Sequence, residues 1–172
     1  IVEDSELDPV INGVPNFCAG LSTTLTVPDD FSTYMWSNNA QINEISVSTP
    51  GTYTVTVADE FGCMGTASVQ VTSLPLPTPA ISGDLDYCIG DSTTLNGGNG
   101  YASYTWSGSG NTNQFLNVTT PGNYVLTVTD GNGCVGTTST TVIENALPVT
   151  SILGEPGYCP GLTTTLSAQP GF

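Results

Sequence analysis

The chain repeats itself with a period of 70 to 71 residues, and this self-similarity constrains the fold more than any other feature of the sequence. The stretch GTYTVTVADEFGCMGT, which begins at Gly51, returns as GNYVLTVTDGNGCVGT, which begins at Gly122. A second motif reads FCAGLSTTLTV, YCIGDSTTLNG and YCPGLTTTLSA, and its three copies begin at Phe17, Tyr87 and Tyr158. The match covers too many positions to reflect biased composition, so each period represents one structural unit.

The repeat predicts where one unit ends and the next begins. Proline-containing stretches separate the copies, and proline stiffens a linker. The expected boundaries in chain order are 1–8 for the tail of a preceding repeat, 9–72 for repeat 1, 73–79 for a linker, 80–143 for repeat 2, 144–148 for a second linker, and 149–172 for the start of a third, incomplete repeat. We therefore expect the chain to be a segment of a longer array.

Within each repeat the residue pattern is that of β-strands. In the stretch TYTVTV, the apolar residues Tyr53, Val55 and Val57 alternate with threonines, which is the period of a half-buried strand. Turn signals such as VPDD, STPG and DGNG bound the short runs. We expect six or seven strands per repeat, no helix, and an all-β fold of tandem Ig-like β-sandwich domains in a linear array.

Four aromatic residues are the expected core and anchor positions of these sandwiches. Trp36 and Trp106 belong on the third strand of each repeat and should fill the space between the sheets. Tyr53 and Tyr124 follow a Pro-Gly pair, at the place where a tyrosine anchors a strand in Ig-like sandwiches. The alternative is that these rings form a sugar-binding platform on the surface.

The charge of the chain excludes several classes of function. There is no Lys, Arg or His, and the formal net charge is −15. Phosphate backbones are bound through Lys and Arg, so we expect no nucleic-acid partner, and no apolar run is long enough for membrane insertion. General acid–base catalysis most often uses His, and Lys is the usual amine nucleophile, and the chain contains neither residue. A pair of carboxylates could still form a glycosidase site, but that needs a cleft, so we expect no enzyme.

Five cysteines predict disulfide bonds in an extracellular chain. The simple pairing lies within each repeat, Cys18 with Cys63 and Cys88 with Cys134, which leaves Cys159 for a partner beyond the present sequence. In a plain Ig topology, however, the second strand and the last hairpin lie at opposite ends of the sandwich. That geometry favours a bond between neighbouring repeats, such as Cys18 with Cys134, and the sequence leaves the choice open.

The motifs resemble Ig-like and PKD-like tandem repeats of large secreted surface proteins of Bacteroidota, including gliding-motility adhesins. The shared pattern is F/Y-C-x-G-x-S/T-T-T-L, then Y-x-W-S, then P-G-x-Y-x-x-T-V-x-D-x-x-G-C, and it covers nearly the whole chain. The sequences WSNNA and WSGSG depart from the PKD motif, so we expect a generic Ig-like sandwich. The resemblance implies a spacer module of a type IX secreted protein at the bacterial cell surface.

Carboxylates and short motifs provide the remaining candidate sites. Asp59 and Glu60 in the last hairpin of repeat 1 should face the preceding linker with Glu3 and Asp4, and such oxygen-rich clusters suit Ca²⁺. The alternative is that these are solvated acidic loops.

Two short motifs suggest sites of glycosylation. Asn117-Val-Thr fits an N-glycan sequon. Ser92 lies in a DST motif that resembles the Bacteroidota O-glycosylation site.

Three functions are compatible with this sequence. The first is a structural segment of an extracellular stalk, adhesin or filament, with further copies of the repeat as partners in cis and laterally. The second is a module that binds a glycan or another cell surface through the loops at residues 28–33 and 97–103. The third is a self-assembling filament subunit whose ends exchange strands with neighbouring chains.

Overall fold

The computed structural model describes residues 7–154, 157 and 159–168, and these form strands and turns without a helix. Six strands lie in the first repeat: β1 (Asn16–Cys18), β2 (Thr23–Thr26), β3 (Thr33–Trp36), β4 (Glu44–Val47), β5 (Gly51–Ala58) and β6 (Met64–Leu74). Six equivalent strands lie in the second repeat: β7 (Asp86–Cys88), β8 (Thr93–Asn96), β9 (Ser103–Trp106), β10 (Phe115–Val118), β11 (Gly122–Thr129) and β12 (Val135–Asn145).

Each repeat builds the same two sheets. In the first repeat a four-stranded sheet has the order β1-β6-β5-β3, and β2 pairs with β4 in a second sheet. All of these pairings are antiparallel except that of the short β1, which runs parallel to the last three residues of β6. The second repeat repeats this arrangement with the orders β7-β12-β11-β9 and β10-β8. The prediction of an all-β, Ig-like sandwich is therefore confirmed.

The alternation of apolar and hydroxyl-bearing residues places one face of each strand in the core. In the first repeat the buried residues are Phe17, Leu25, Val27, Trp36, Ile45, Val47, Val55, Val57 and Val71. In the second repeat they are Tyr87, Leu95, Trp106, Leu116, Val118, Leu126, Val128, Cys134 and Val142. All members except Val27 and Cys134 correspond at the 70 to 71-residue spacing of the sequence, because the same strand positions face inward in each copy.

The predicted aromatic residues occupy the expected positions. Trp36 and Trp106 are buried, and their indole N–H groups donate to the carbonyl oxygens of Ile42 at 2.8 Å and of Asn113 at 3.0 Å. A buried indole without such an acceptor would leave its donor unsatisfied. The core placement of both tryptophans is confirmed, and no ring face is left for sugar binding.

The two anchoring tyrosines are only half-buried, so they border the core instead of filling it. Tyr53 donates its hydroxyl to the carbonyl oxygen of Thr49 at 3.0 Å, and Tyr124 donates to that of Thr120 at 2.7 Å. Each bond reaches back four residues along the chain. This is the expected strand anchor of an Ig-like sandwich.

The two repeats differ at two core positions that lie side by side, and the two differences compensate for each other in size. Val27 and Val55 of the first repeat correspond to Gly97 and Leu126 of the second. A Cβ added to Gly97 would lie 2.8 Å from the Cδ2 atom of Leu126 and 3.3 Å from the Trp106 ring. The larger leucine thus fills the space that a side chain at position 97 would need.

We predict that Gly97 and Leu126 are energetically coupled. Gly97→Val should overpack the core and Leu126→Val should leave a cavity, each costing about 1–3 kcal/mol of unfolding free energy. The double variant recreates the pair found in the first repeat and should recover most of this loss. Chemical denaturation of the three variants measures the coupling, and strictly additive losses would contradict it.

The described part of the third repeat begins in the same way as the first two. Strands β13 (Ile152–Leu153) and β14 (Ser167–Ala168) pair antiparallel, with Leu153 opposite Ser167. The same positions form isolated bridges in the earlier repeats, between Asn12 and Thr26 and between Ser82 and Asn96. The pairing therefore follows the sequence period.

The compact units of the chain do not follow the predicted repeat boundaries. The first unit comprises Ile1–Thr78 together with Gly100–Ser103 and Thr127–Thr137, and the second comprises the remaining residues from Pro79 onward. The hairpin at the end of the second repeat thus belongs to the first compact unit. The linear array and its domain boundaries stay predictions.

Candidate functional site

The first compact unit contains a disulfide bond between Cys18 at the end of β1 and Cys134 in the hairpin before β12. Their Cα atoms are 5.5 Å apart, and 116 residues separate them in sequence. The predicted bonds within each repeat, Cys18 with Cys63 and Cys88 with Cys134, are therefore wrong. The alternative bond between neighbouring repeats is confirmed.

The length of β6 explains why the bond within the repeat cannot form. Cys18 is paired with Leu74, the last residue of β6, whereas Cys63 immediately precedes Met64, the first residue. Eleven strand residues span roughly 36 Å at about 3.3 Å per residue. A disulfide needs Cα atoms within about 7 Å, so Cys18 and Cys63 lie far beyond reach. Cys88 and Cys134 are separated in the same way by β12.

The hairpin that presents Cys134 is held by one aspartate. The Oδ1 atom of Asp130 accepts hydrogen bonds from the backbone N–H groups of Asn132 at 2.8 Å and Cys134 at 2.9 Å. Asp59 does the same in the first repeat, accepting from Phe61 and Cys63, both at 2.9 Å. Both hairpins therefore have the same turn geometry, and in each of them the aspartate positions the cysteine backbone.

A glycine next to each hairpin allows the preceding linker to lie directly against the strand. A Cβ added to Gly136 would fall on the carbonyl oxygen of Pro77, and one added to Gly65 would fall on that of Leu7. Both pairs lie within the first compact unit. Since a backbone carbonyl cannot yield as a flexible side chain can, these two positions admit only glycine without a shift of the linker.

We predict that Asp130→Ala destabilises the disulfide-bearing hairpin, because two backbone N–H groups lose their acceptor. The expected loss of unfolding free energy is about 1 kcal/mol, since the site is partly exposed. Asp130→Asn keeps an Oδ1 acceptor and should retain most of the stability. Thermal unfolding of the oxidised protein measures both variants, and equal losses in the two would contradict this role of Oδ1.

Tyr87 carries a buried polar group that its counterpart in the first repeat, Phe17, does not have. The side chain is 7% exposed, and its hydroxyl has no hydrogen-bond partner among the described residues. Burial, together with the charge of Glu144 and the nearby Tyr124, raises the pKa of Tyr87 above its ordinary value of 10.0. The folded protein therefore holds this proton more tightly than the unfolded chain does.

We predict that Tyr87→Phe raises the melting temperature at neutral pH, since it removes an unsatisfied buried hydroxyl. The raised pKa also makes stability fall as pH rises above about 10, because there the unfolded chain has released the proton that the folded protein retains. Tyr87→Phe should lessen this loss. Melting curves from pH 7 to 11 test both effects, and parallel curves for the two proteins would rule out the second.

The described residues do not assemble the predicted calcium site. Glu3 and Asp4 lie outside the described residues, and Glu60 is exposed. One carboxylate oxygen of Asp59 is already engaged by two backbone N–H groups. Among the described residues, no three His, Cys, Asp or Glu side chains come close enough together to hold a metal ion. The calcium site at Asp59, Glu60, Glu3 and Asp4 stays a prediction.

The remaining predicted sites lie on the surface. Asn117 is exposed on β10, Ser92 is exposed in the turn between β7 and β8, and Cys159 is exposed. Glycosylation at Asn117 and Ser92 and a partner for Cys159 stay predictions. No helix among the residues that the structure describes is long and apolar enough to cross a membrane.

Tyrosines on β3 and β9 hold the two loops proposed for ligand binding by hydrogen bonds. The Tyr34 hydroxyl donates to the carbonyl oxygen of Pro28 at 2.9 Å, and the Phe31 ring packs edge-on against Tyr34 at 6.1 Å. The Tyr104 hydroxyl donates to the carbonyl oxygen of Gly98 at 3.0 Å. These tyrosines hold the loops to the strands, so they form no open aromatic platform.

Comparison with solved structures supports the fold. The chain is similar to a Ca²⁺-stabilised adhesin that helps an Antarctic bacterium bind ice, with 12% identity over 87% of this chain and 52% of that chain, and a TM-score of 0.50. The chain thus spans about half the length of that adhesin. It also matches murine CEACAM1b, with 16% identity over 80% of this chain and 100% of that chain, and a TM-score of 0.39.

At 12% identity, the similarity to the Antarctic adhesin shows a shared fold and nothing more. No protein-family model matches the sequence. A search of curated proteins gives no match either.

Proposed function

We propose that this chain is a structural repeat segment of an extracellular bacterial surface stalk or adhesin, and that it keeps its length under tension. The observation that carries the proposal is the bond between Cys18 of one repeat and Cys134 of the next. Disulfides persist in oxidising compartments outside the cytosol, which supports an extracellular location. The bond makes two small sandwiches part of one covalently closed loop.

The closed loop changes the path that a pulling force takes through the chain. Strands β2–β6 and β7–β11 lie between Cys18 and Cys134, inside the loop. Tension applied to the chain on either side passes through the sulfur–sulfur bond, so these strands carry none of it. A stalk built this way resists extension without the large hydrophobic core that a unit of this size cannot form.

Two further observations support a bacterial surface protein. The cysteine and tryptophan motifs resemble tandem repeats of secreted Bacteroidota surface proteins, which are exported by type IX secretion. An adhesin of similar fold helps an Antarctic bacterium reach out and bind ice. In this proposal the chain extends the surface protein away from the cell and other parts of the protein bind ligands, because Tyr34 and Tyr104 are engaged in holding its loops.

We predict that the oxidised chain, held by its two termini in a force spectrometer, does not release the residues between Cys18 and Cys134. Reduction of the bond, or Cys134→Ser, should add about 400 Å of contour length, from 116 residues at about 3.5 Å each. Cys88→Ser is the matched control, because it removes a cysteine that lies outside this bond. Full extension of the oxidised wild type would refute the tension-bearing role.

A further inference from the structure

The second repeat has an open surface depression of about 530 Å³ around β7 and the turn that leads to β8. Three exposed carboxylates line it, those of Asp84, Asp86 and Asp91, and Tyr87 lines it with them. We call this surface, lined by Asp84, Asp86, Tyr87 and Asp91, the acidic depression. Its clustered negative charge attracts cations.

Tyr87 brings a buried polar group without a partner to the acidic depression. The side chain is 7% exposed, and its hydroxyl has no hydrogen-bond partner among the described residues. A buried hydroxyl without a partner is costly, and a tyrosine hydroxyl can accept a hydrogen bond as well as donate one. An N–H donor that enters the acidic depression would therefore supply the partner that Tyr87 lacks.

The first repeat has none of this chemistry on an equivalent backbone. The short strands β1 and β7 pair in the same way with β6 and β12. The second repeat has Asp84, Asp86, Tyr87, Asp91 and Glu144 at the positions where the first repeat has Val14, Asn16, Phe17, Leu21 and Ser73. Four carboxylates and a buried phenol thus occur together in one repeat and are absent together from the other. The fold does not need them, so they point to a ligand.

The ligand is a cationic group of an organic molecule. Within the described part of the chain, no three His, Cys, Asp or Glu side chains are close enough together to hold one metal ion. An alkylammonium group has three N–H donors, so it can engage separate oxygens such as the Tyr87 hydroxyl and a carboxylate. The sequence contains no Lys, Arg or His, so no side chain of a second copy can supply this group.

The surroundings of the acidic depression favour a protein as the source of the ammonium group. Leu85 and Ile89 lie next to the lining residues in sequence, and both are exposed large hydrophobic residues. A lysine side chain combines an apolar stem with a charged end, so a lysine-bearing protein surface would cover them. A small hydrated polyamine would leave more of this apolar surface in water.

We propose that the acidic depression binds a lysine side chain of a different protein. The lysine ammonium group donates to the Tyr87 hydroxyl and to the surrounding carboxylates, and the apolar stem lies against Leu85 and Ile89. The inference goes beyond the proposed function, since it gives the stalk segment a place where a second protein attaches along its length. This contact does not involve the two loops that Tyr34 and Tyr104 hold.

Titration of the full oxidised chain with a fluorescent acetyl-tetralysine amide tests the proposal. Asp84→Asn combined with Asp91→Asn should weaken binding about tenfold, because two ion pairs are lost. The matched control combines Asp29→Asn with Asp30→Asn, which removes the same charge from an exposed loop of the first repeat and should change the affinity less than about twofold. Equal losses in the two variants would show general attraction to an acidic chain and would overturn the proposal.

Tyr87→Phe tests the buried hydroxyl separately. Phe17 occupies the equivalent position of the first repeat, so this variant should fold. It should bind the lysine peptide about tenfold more weakly, because the ammonium group loses a hydrogen bond. The peptide should also raise the melting temperature of the variant less than that of the wild type. An unchanged affinity in Tyr87→Phe would contradict the proposed site.

Spermine distinguishes a protein partner from a free polyamine, since it carries as many ammonium groups as the peptide. The lysine peptide should bind about tenfold more tightly than spermine at equal ionic strength, because its side-chain stems cover Leu85 and Ile89. Tighter binding of spermine, again sensitive to Tyr87→Phe, would rule out the protein partner in favour of a polyamine.

Discussion

The parallel pairing of β1 with the end of β6 is the constraint on which the covalent structure depends. Strand β1 contains only Asn16–Cys18, yet its place beside residues 72–74 puts Cys18 at one end of an eleven-residue strand. The hairpin cysteine of the same repeat is at the other end, roughly 36 Å away at about 3.3 Å per residue. The partner of Cys18 must therefore come from a different repeat, and Cys134 is that partner. A small sandwich gains in this way a crosslink that its own strands could not provide.

The two complete repeats keep their interiors alike and vary their ends. Trp36 and Trp106 fill the same place and donate to the same kind of backbone acceptor. One part of the core differs between the repeats. It is filled by Val27 and Val55 in the first repeat and by Leu126, beside Gly97, in the second. The ends that carry the cysteines differ instead, with Phe61 in one hairpin and Asn132 in the other. The hairpins therefore vary while the core stays packed.

The function that we propose from this arrangement is mechanical and extracellular. Two observations support this proposal: Asp130 holds the hairpin that carries Cys134, and the disulfide bond closes a loop of two repeats. While the Cys18–Cys134 bond is intact, a force that pulls on the two ends of the chain should bypass the strands inside the closed loop.

The sequence by itself determined the all-β fold, the strand faces and the buried tryptophans, because these follow from local alternation and from a repeat that marks equivalent positions. It also identified the tyrosine anchors, whose hydroxyls reach only four residues along the chain. Only the tertiary structure decided the cysteine pairing, the fit of Leu126 over Gly97 and the approach of Pro77 to Gly136. Each of these depends on which strand ends and linkers meet in space. That meeting is set by the pairing of β1 with β6 and of β7 with β12, between segments more than fifty residues apart, which no local residue pattern encodes.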